Sequence, residues 1–214
     1  MAHFPVSSSI LSARFLSGWV QDHFFPDDAV VFCKLLKSGI NDTYSVQCSS
    51  GRFVLRIYTH GWRTPLAIEE ELKLLQLLHG AQLPVSVPVA HTGGQYILPI
   101  DAPEGERYAV LFSHAPGRKM QQFPAELHRQ AGILLARMHQ TTGGLELNRP
   151  DYDTESLLIQ PLQHIANHLP NHTPEMQWLQ RTQQHLLPLL QAAETSGLPK
   201  GIVHLDVWFD NINI

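Results

Sequence analysis

Charge is scarce in this chain, and neither sign gathers into a run. Only 16% of residues are Asp, Glu, Lys or Arg, and 15 basic against 19 acidic residues leave a formal net charge of −4. That balance excludes the broad basic surface by which proteins grip nucleic acid, so nucleic acid is not an expected partner and an anionic ligand must be held by local groups. Cysteine is nearly absent. Cys33 and Cys48 are the only two, too few for a disulfide framework and at no metal-binding spacing. They flank a candidate hairpin centred near Ile40 and Asn41, where they would face each other as free, half-buried thiols of a reducing compartment. Long apolar runs are missing as well: no stretch approaches the ~20 residues of a membrane helix, and no charged-then-apolar signal pattern opens the chain. A cytoplasmic protein with no membrane partner is expected. The 13 histidines are scattered. His164, His168 and His172 are four apart, but Pro170 breaks the helix that would align them, so they read as surface histidines rather than metal ligands.

What is present is an ordinary apolar fraction, 43%, enough for a sizeable core. Ser7–Phe24 has apolar residues near helical spacing and serines able to cap it. Three segments follow, "AVVFCKLL", "INDTYSV" and "GRFVLRIY", rich in β-formers and separated by Gly, Asn, Asp and Ser, which predicts an antiparallel meander. On the third strand, alternation puts Phe53, Leu55 and Ile57 on one face and Val54, Arg56 and Tyr58 on the other. "TPLAIEEELKLLQLLHG" is a strong helix, with Thr64-Pro65 at its start and Gly80 at its stop. One residue is out of place on it: Glu71 shares a face with Leu75 and Leu78. "LPVSVPVA", "QYILPI" and "RYAVLFSHA" read as short strands, the last apolar enough to be buried. Beyond Pro116-Gly117 the pattern turns helical. An α+β chain of two lobes is predicted, a strand-rich 1–115 and a helical 116–214, with the joint near Ser113–Gly117.

The terminal stretch "GIVHLDVWFDNINI" carries His204, Asp206 and Asn211 between apolar segments. That spacing matches a phosphoryl-transfer loop, in which the Asp takes the proton of an attacking hydroxyl and the Asn supplies a hard oxygen to Mg²⁺. By itself the spacing also suits a polar turn between two buried strands. Taken with "GINDTYSV", "FVLRIY", "EGERYAVLFSHAPGR", "ILLARMH" and "GLPKG", in that order along the chain, it resembles the aminoglycoside phosphotransferase and type II homoserine kinase superfamily over almost the whole length.

The resemblance implies a protein-kinase-like bilobal fold, an antiparallel-sheet lobe followed by a mostly helical one, using ATP and Mg²⁺ to phosphorylate the hydroxyl of a small molecule such as homoserine or an aminoglycoside. It implies that Asp206 is the base, Asn211 a magnesium ligand and His204 a residue bracing the loop, with Leu205 replacing a common Gly at a position that contributes backbone. Arg56 would hold the nucleotide phosphates and Glu71 would pair with it, Glu70 being the alternative partner. Asn41 or Thr43 would cover the phosphates, and the Ser113 carbonyl and Ala115 amide would receive the adenine edge. In the family a further metal-binding Asp and more helices follow this loop. The helical lobe is therefore expected to be incomplete, a truncated chain impaired in transfer. A nucleotide-binding remnant without turnover and a protein Ser/Thr kinase of the same fold are the alternatives.

Overall fold

Three strands joined by tight turns fold back on one another as the alternation predicts. In the computed structural model, which describes residues 4–197 and 199–214, these are β1 (Phe32–Lys37), β2 (Asn41–Cys48) and β3 (Gly51–Tyr58). Leu198, in the Leu-Pro-Lys-Gly lead to the terminal motif, lies outside the described residues. β4 (Pro88–Val89), β5 (Leu98–Ala102) and β6 (Gly105–Ser113) complete an antiparallel sheet of order β1-β2-β3-β6-β4, with β5 also paired to β6. The uninterrupted run Ala109–Phe112 is buried because β6 is covered on both faces. On one face α1 (Ala13–Phe24) packs Leu16, Val20 and Phe24 against Tyr44, Val46, Leu55, Ile57 and Leu111. On the other, α2 (Pro65–Gly80) packs Ile68 and Leu72 against Tyr58, Val110 and Phe112. Each large side chain so buried contributes about 1.5–3 kcal/mol.

Two details differ from expectation. α1 begins at Ala13 rather than near Ser7, because the Ser12 side chain accepts the Phe15 N–H and starts the helix there. The extended residues before it serve the sheet instead: the Leu11 carbonyl accepts from the Tyr44 hydroxyl, and Ser9 binds Glu104. The cysteines do not face each other. Cys33 opposes Val46, and Cys48 opposes Gly51 across the next hairpin, because the first turn centres nearer Gly39 and β1 carries a bulge before Lys37. Both thiols are free, and burial raises the pKa of Cys33.

The interior of the sheet lobe also holds charge. Arg107, 2% exposed, donates from Nη2 to Asp42 Oδ2 at 2.8 Å and to the Ile57 carbonyl, from Nε to the Tyr58 carbonyl, and from Nη1 to the Ser9 carbonyl and to Glu104. Asp42 in turn accepts from the Ser38 hydroxyl at 2.6 Å. One guanidinium thus ties β2, β3, β6 and the leading segment to the β1–β2 turn.

α3 (Ala125–Thr141) sets Met138 against Leu78 and Leu83. By contacts, the chain up to Asn148 together with Val203–Ile214 forms one compact unit and Arg149–Ile202 a second. The terminal segment thus belongs with the first unit. In the second unit, a π-helical turn (Glu155–Ile159) runs into α4 (Gln160–Ala166), and α5 (Pro174–Thr195) is capped by Thr173. Glu194 on α5 accepts from the Thr154 N–H and hydroxyl. Among the described residues, no helix is long and apolar enough to cross a membrane.

Removing one partner of a buried ion pair strands the other charge, a loss of about 3–5 kcal/mol. Asp42→Ala and Arg107→Ala are each expected to lower the unfolding free energy by that order in urea titrations. The double variant should lose less than the sum of the two, since the singles share one interaction.

Candidate active site

The polar side of β3 begins the site. Arg56 Nη1 donates to Glu71 Oε1 at 2.7 Å, so the acid on the leucine stripe of α2 is explained by the cation it faces. Glu70, one residue earlier, turns the other way to Lys73 and the Asn148 N–H. The Arg56 guanidinium lies 5.1 Å from the Phe112 ring centroid and 5.8 Å from that of Tyr58, a cation–π setting that holds its plane. Burial works against its charge, but Tyr58 and Glu71 outweigh burial and raise its pKa. Burial first, and then the Glu71 carboxylate, push the Tyr58 phenol up to about 12, so it stays neutral. The Arg56 side chain remains 37% exposed, leaving part of its donor fork open to an anion.

Thr43 opposes Arg56 directly across β2 and β3, which places its hydroxyl on the same face. Asn41 begins β2 beside it, with its Oδ1 accepting the Thr59 N–H at 3.3 Å.

The second part is the loop at 203–214. A 3₁₀ turn (Phe209–Asn211) folds Asn211 back so that its Nδ2 donates to Asp206 Oδ2 at 2.7 Å and to the Asp206 carbonyl at 2.9 Å. With the nitrogen end so used, Oδ1 is the end able to meet a cation. The Asp206 N–H points at His204 Nδ1 at 3.3 Å, so the histidine steadies the loop through its backbone. Leu205 between them has φ +64°. The backbone there is left-handed, a conformation that strains leucine and suits the glycine that the resemblance leads one to expect at this position.

The loop is fastened to the segment leaving β6. Arg118 and Ile214 exchange two backbone hydrogen bonds (2.8 and 3.0 Å), Asn213 Nδ2 donates to the Ala115 carbonyl at 2.9 Å, and the Lys119 ammonium donates to the Asp210 carbonyl. Gly117, at φ +98°, lies so close that a Cβ would come within 2.8 Å of the Ile214 carbonyl oxygen. Ser113 is held by Val87 through both its N–H and its hydroxyl. The half-buried Ala115 N–H has no acceptor among the described residues, a free donor where an adenine edge was expected.

The structure thus brings Arg56 and Glu71 together with Thr43 alongside, and Asp206 together with Asn211 and His204. Lys37 Nζ, 3.5 Å from Asp210 Oδ2, spans from the sheet to the loop. Sequence reasoning missed Lys37, Asp210 and Lys119, which carry no motif of their own. The donor set suits phosphate and a hard divalent cation: a guanidinium, an ammonium and a hydroxyl on one side, a carboxylate and a carboxamide oxygen on the other.

The family model "Phosphotransferase enzyme family" matches residues 33–214, and the chain belongs to that family. An uncharacterized protein of Synechocystis sp. is 34% identical over 82% of this chain and 49% of its own length. The homoserine kinase of Methylobacillus glycogenes is 27% identical over 83% of this chain and 52% of its own. The chain therefore spans about half the length of the curated relatives it matches. Among solved structures, the amicoumacin kinase hAmiN, in complex with AMP-PNP, Ca²⁺ and Ami, superposes with a TM-score of 0.67 at 21% identity, over 89% of this chain and 56% of that one. The fold is that of the protein-kinase-like phosphotransferases.

A left-handed leucine costs about 1–2 kcal/mol, against about 0.4–1 kcal/mol for glycine's freer unfolded chain. Leu205→Gly is therefore expected to raise stability by up to about 1 kcal/mol in thermal melts. Leu205→Val, β-branched at the same φ, should lower it.

Proposed function

We propose that the chain provides the nucleotide site and the catalytic loop of an ATP- and magnesium-dependent phosphotransferase whose acceptor is the hydroxyl of a small molecule. The observation that carries this reading is the Arg56–Glu71 pair at 2.7 Å, an acid drawn out of an apolar stripe to orient a part-exposed cation on the α2 side of the sheet. Arg56, with Thr43 beside it, holds the nucleotide phosphates. The Ala115 N–H receives the adenine edge. Asn211 Oδ1 is the hard oxygen that would meet magnesium, which when bound would neutralise charge on the transferring phosphoryl. Asp206 accepts the acceptor's hydroxyl proton as that oxygen bonds to the γ-phosphorus; the bond to the β–γ bridging oxygen breaks, and ADP leaves. His204 keeps the loop in register. The homoserine kinase relatives support the acceptor class, and the nucleotide and divalent cation are in keeping with the ligands of the amicoumacin kinase complex.

Magnesium-dependent ADP release with homoserine and simple amino alcohols tests the reading. Asp206→Asn is expected to lower kcat about 10²–10⁴-fold, the usual worth of general-base catalysis, while equilibrium binding of ATP changes less than about twofold. Arg56→Ala should instead weaken ATP binding by about tenfold, the scale of one charge-assisted hydrogen bond. An Asp206→Asn enzyme with undiminished kcat would remove the assigned base.

A further inference from the structure

β1 carries a register shift where it enters its hairpin. Cys33 and Leu35 oppose Val46 and Tyr44, on the face covered by α1. Regular alternation would next set Leu36 opposite Thr43 and Lys37 opposite Asp42, driving a lysine towards the buried Arg107 cluster. Instead Leu36 is left unpaired and Lys37 opposes Thr43. One bulged residue moves the next side chain to the other face, and bulges re-aim side chains in this way beside functional sites. Lys37, Thr43 and Arg56 consequently form one row across β1, β2 and β3. With strands about 4.8 Å apart, the two cations leave the backbone about 10 Å apart, with a hydroxyl between them.

The Lys37 side chain delivered by this bulge is 69% exposed, and its ammonium rests against Asp210, 3.5 Å away. Asp210 immediately precedes Asn211, and its own carbonyl is held by Lys119. An exposed ion pair of this kind is weak and easily exchanged for a stronger anion. Its position is what matters: a lysine from the row of Arg56 meets a carboxylate from the loop of Asp206 and Asn211.

We propose that Lys37 is a second phosphate-binding cation of the nucleotide site, and that Asp210 occupies it as a stand-in anion until a nucleoside triphosphate arrives. The inference rests on the phosphotransferase reading and adds a residue and a competition to it. Lys37 exchanges one carboxylate for the charge of a polyphosphate, so the carboxylate reduces the apparent affinity by the strength of the contact that must be broken.

Titration of a fluorescent ATP analogue with magnesium at low ionic strength tests this on the folded protein, independently of turnover. Lys37→Gln is expected to weaken binding about tenfold, and Asp210→Asn to tighten it about two- to fivefold. Lys34→Gln, a neighbouring exposed lysine of β1, should leave it within about twofold. The opposite signs are diagnostic: a pair that merely braced the hairpin would shift both variants the same way, and that result overturns the proposal. Unchanged binding in Lys37→Gln, with Arg56→Ala still impaired, overturns it while sparing the phosphotransferase reading. A wild-type chain that binds no nucleoside triphosphate overturns both.

Discussion

The sheet lobe depends on a guanidinium that never meets solvent. Arg107 reaches three backbone carbonyls and two carboxylates, and its position among Tyr58, Ile57, Asp42 and Ser9 defines how four segments meet. A buried ion pair of this kind adds little net stability over a well-packed apolar substitute, since desolvation offsets most of the attraction. Its value lies in the geometry it enforces: a satisfied network admits one arrangement, and a shifted strand would strand a charge. Because Asp42 is the second residue of β2 and also holds Ser38, the base of the β1–β2 turn is fixed at the point where Lys37 and Thr43 leave for the other face.

That division of labour runs through the whole sheet. On β3, Leu55 and Ile57 are wholly buried against α1, while Arg56 between them faces α2 and Glu71. One strand thereby serves packing and binding at once, and the packing side limits how far the binding side can move. A cation carried on a central strand, with an acid from a helix and two aromatic rings around it, is held more firmly than one on a loop. The price is a carboxylate in the leucine stripe of α2.

Those same features decide what was legible beforehand. Glu71 could be singled out in the sequence because an acid interrupting a leucine stripe is a local anomaly with a period attached; its pairing with Arg56 came from the family resemblance. The loop could be read because His204, Asp206 and Asn211 sit within one short segment, and the meander because its turns are marked by Gly, Asn and Asp. Lys37 could not be read: strict alternation assigns it to the wrong face, and a single unpaired Leu36 reverses the answer. Nor could Arg107, whose partners are scattered from Ser9 to Glu104 and share no spacing. Leu205 shows the converse case. Its position was recognised, but only the backbone angle explains why glycine is favoured there.

The fastening of the loop to the segment leaving β6 gives the site its coherence. Arg118 and Ile214 pair as a two-bond ladder, Asn213 holds the Ala115 carbonyl, and Gly117 is bare so that the two chains can touch. The Ala115 carbonyl is thus engaged by the loop, while its N–H, on the same short segment, has no acceptor among the described residues. On the proposed reading, the donor that meets the adenine and the carboxylate that takes the proton belong to one hydrogen-bonded piece of backbone. The distance between the two ends of the nucleotide site is then set by short covalent and hydrogen-bonded links, with little conformational freedom left to lose when a ligand binds. That is the circumstance in which binding energy goes into orienting the reacting groups rather than ordering the protein.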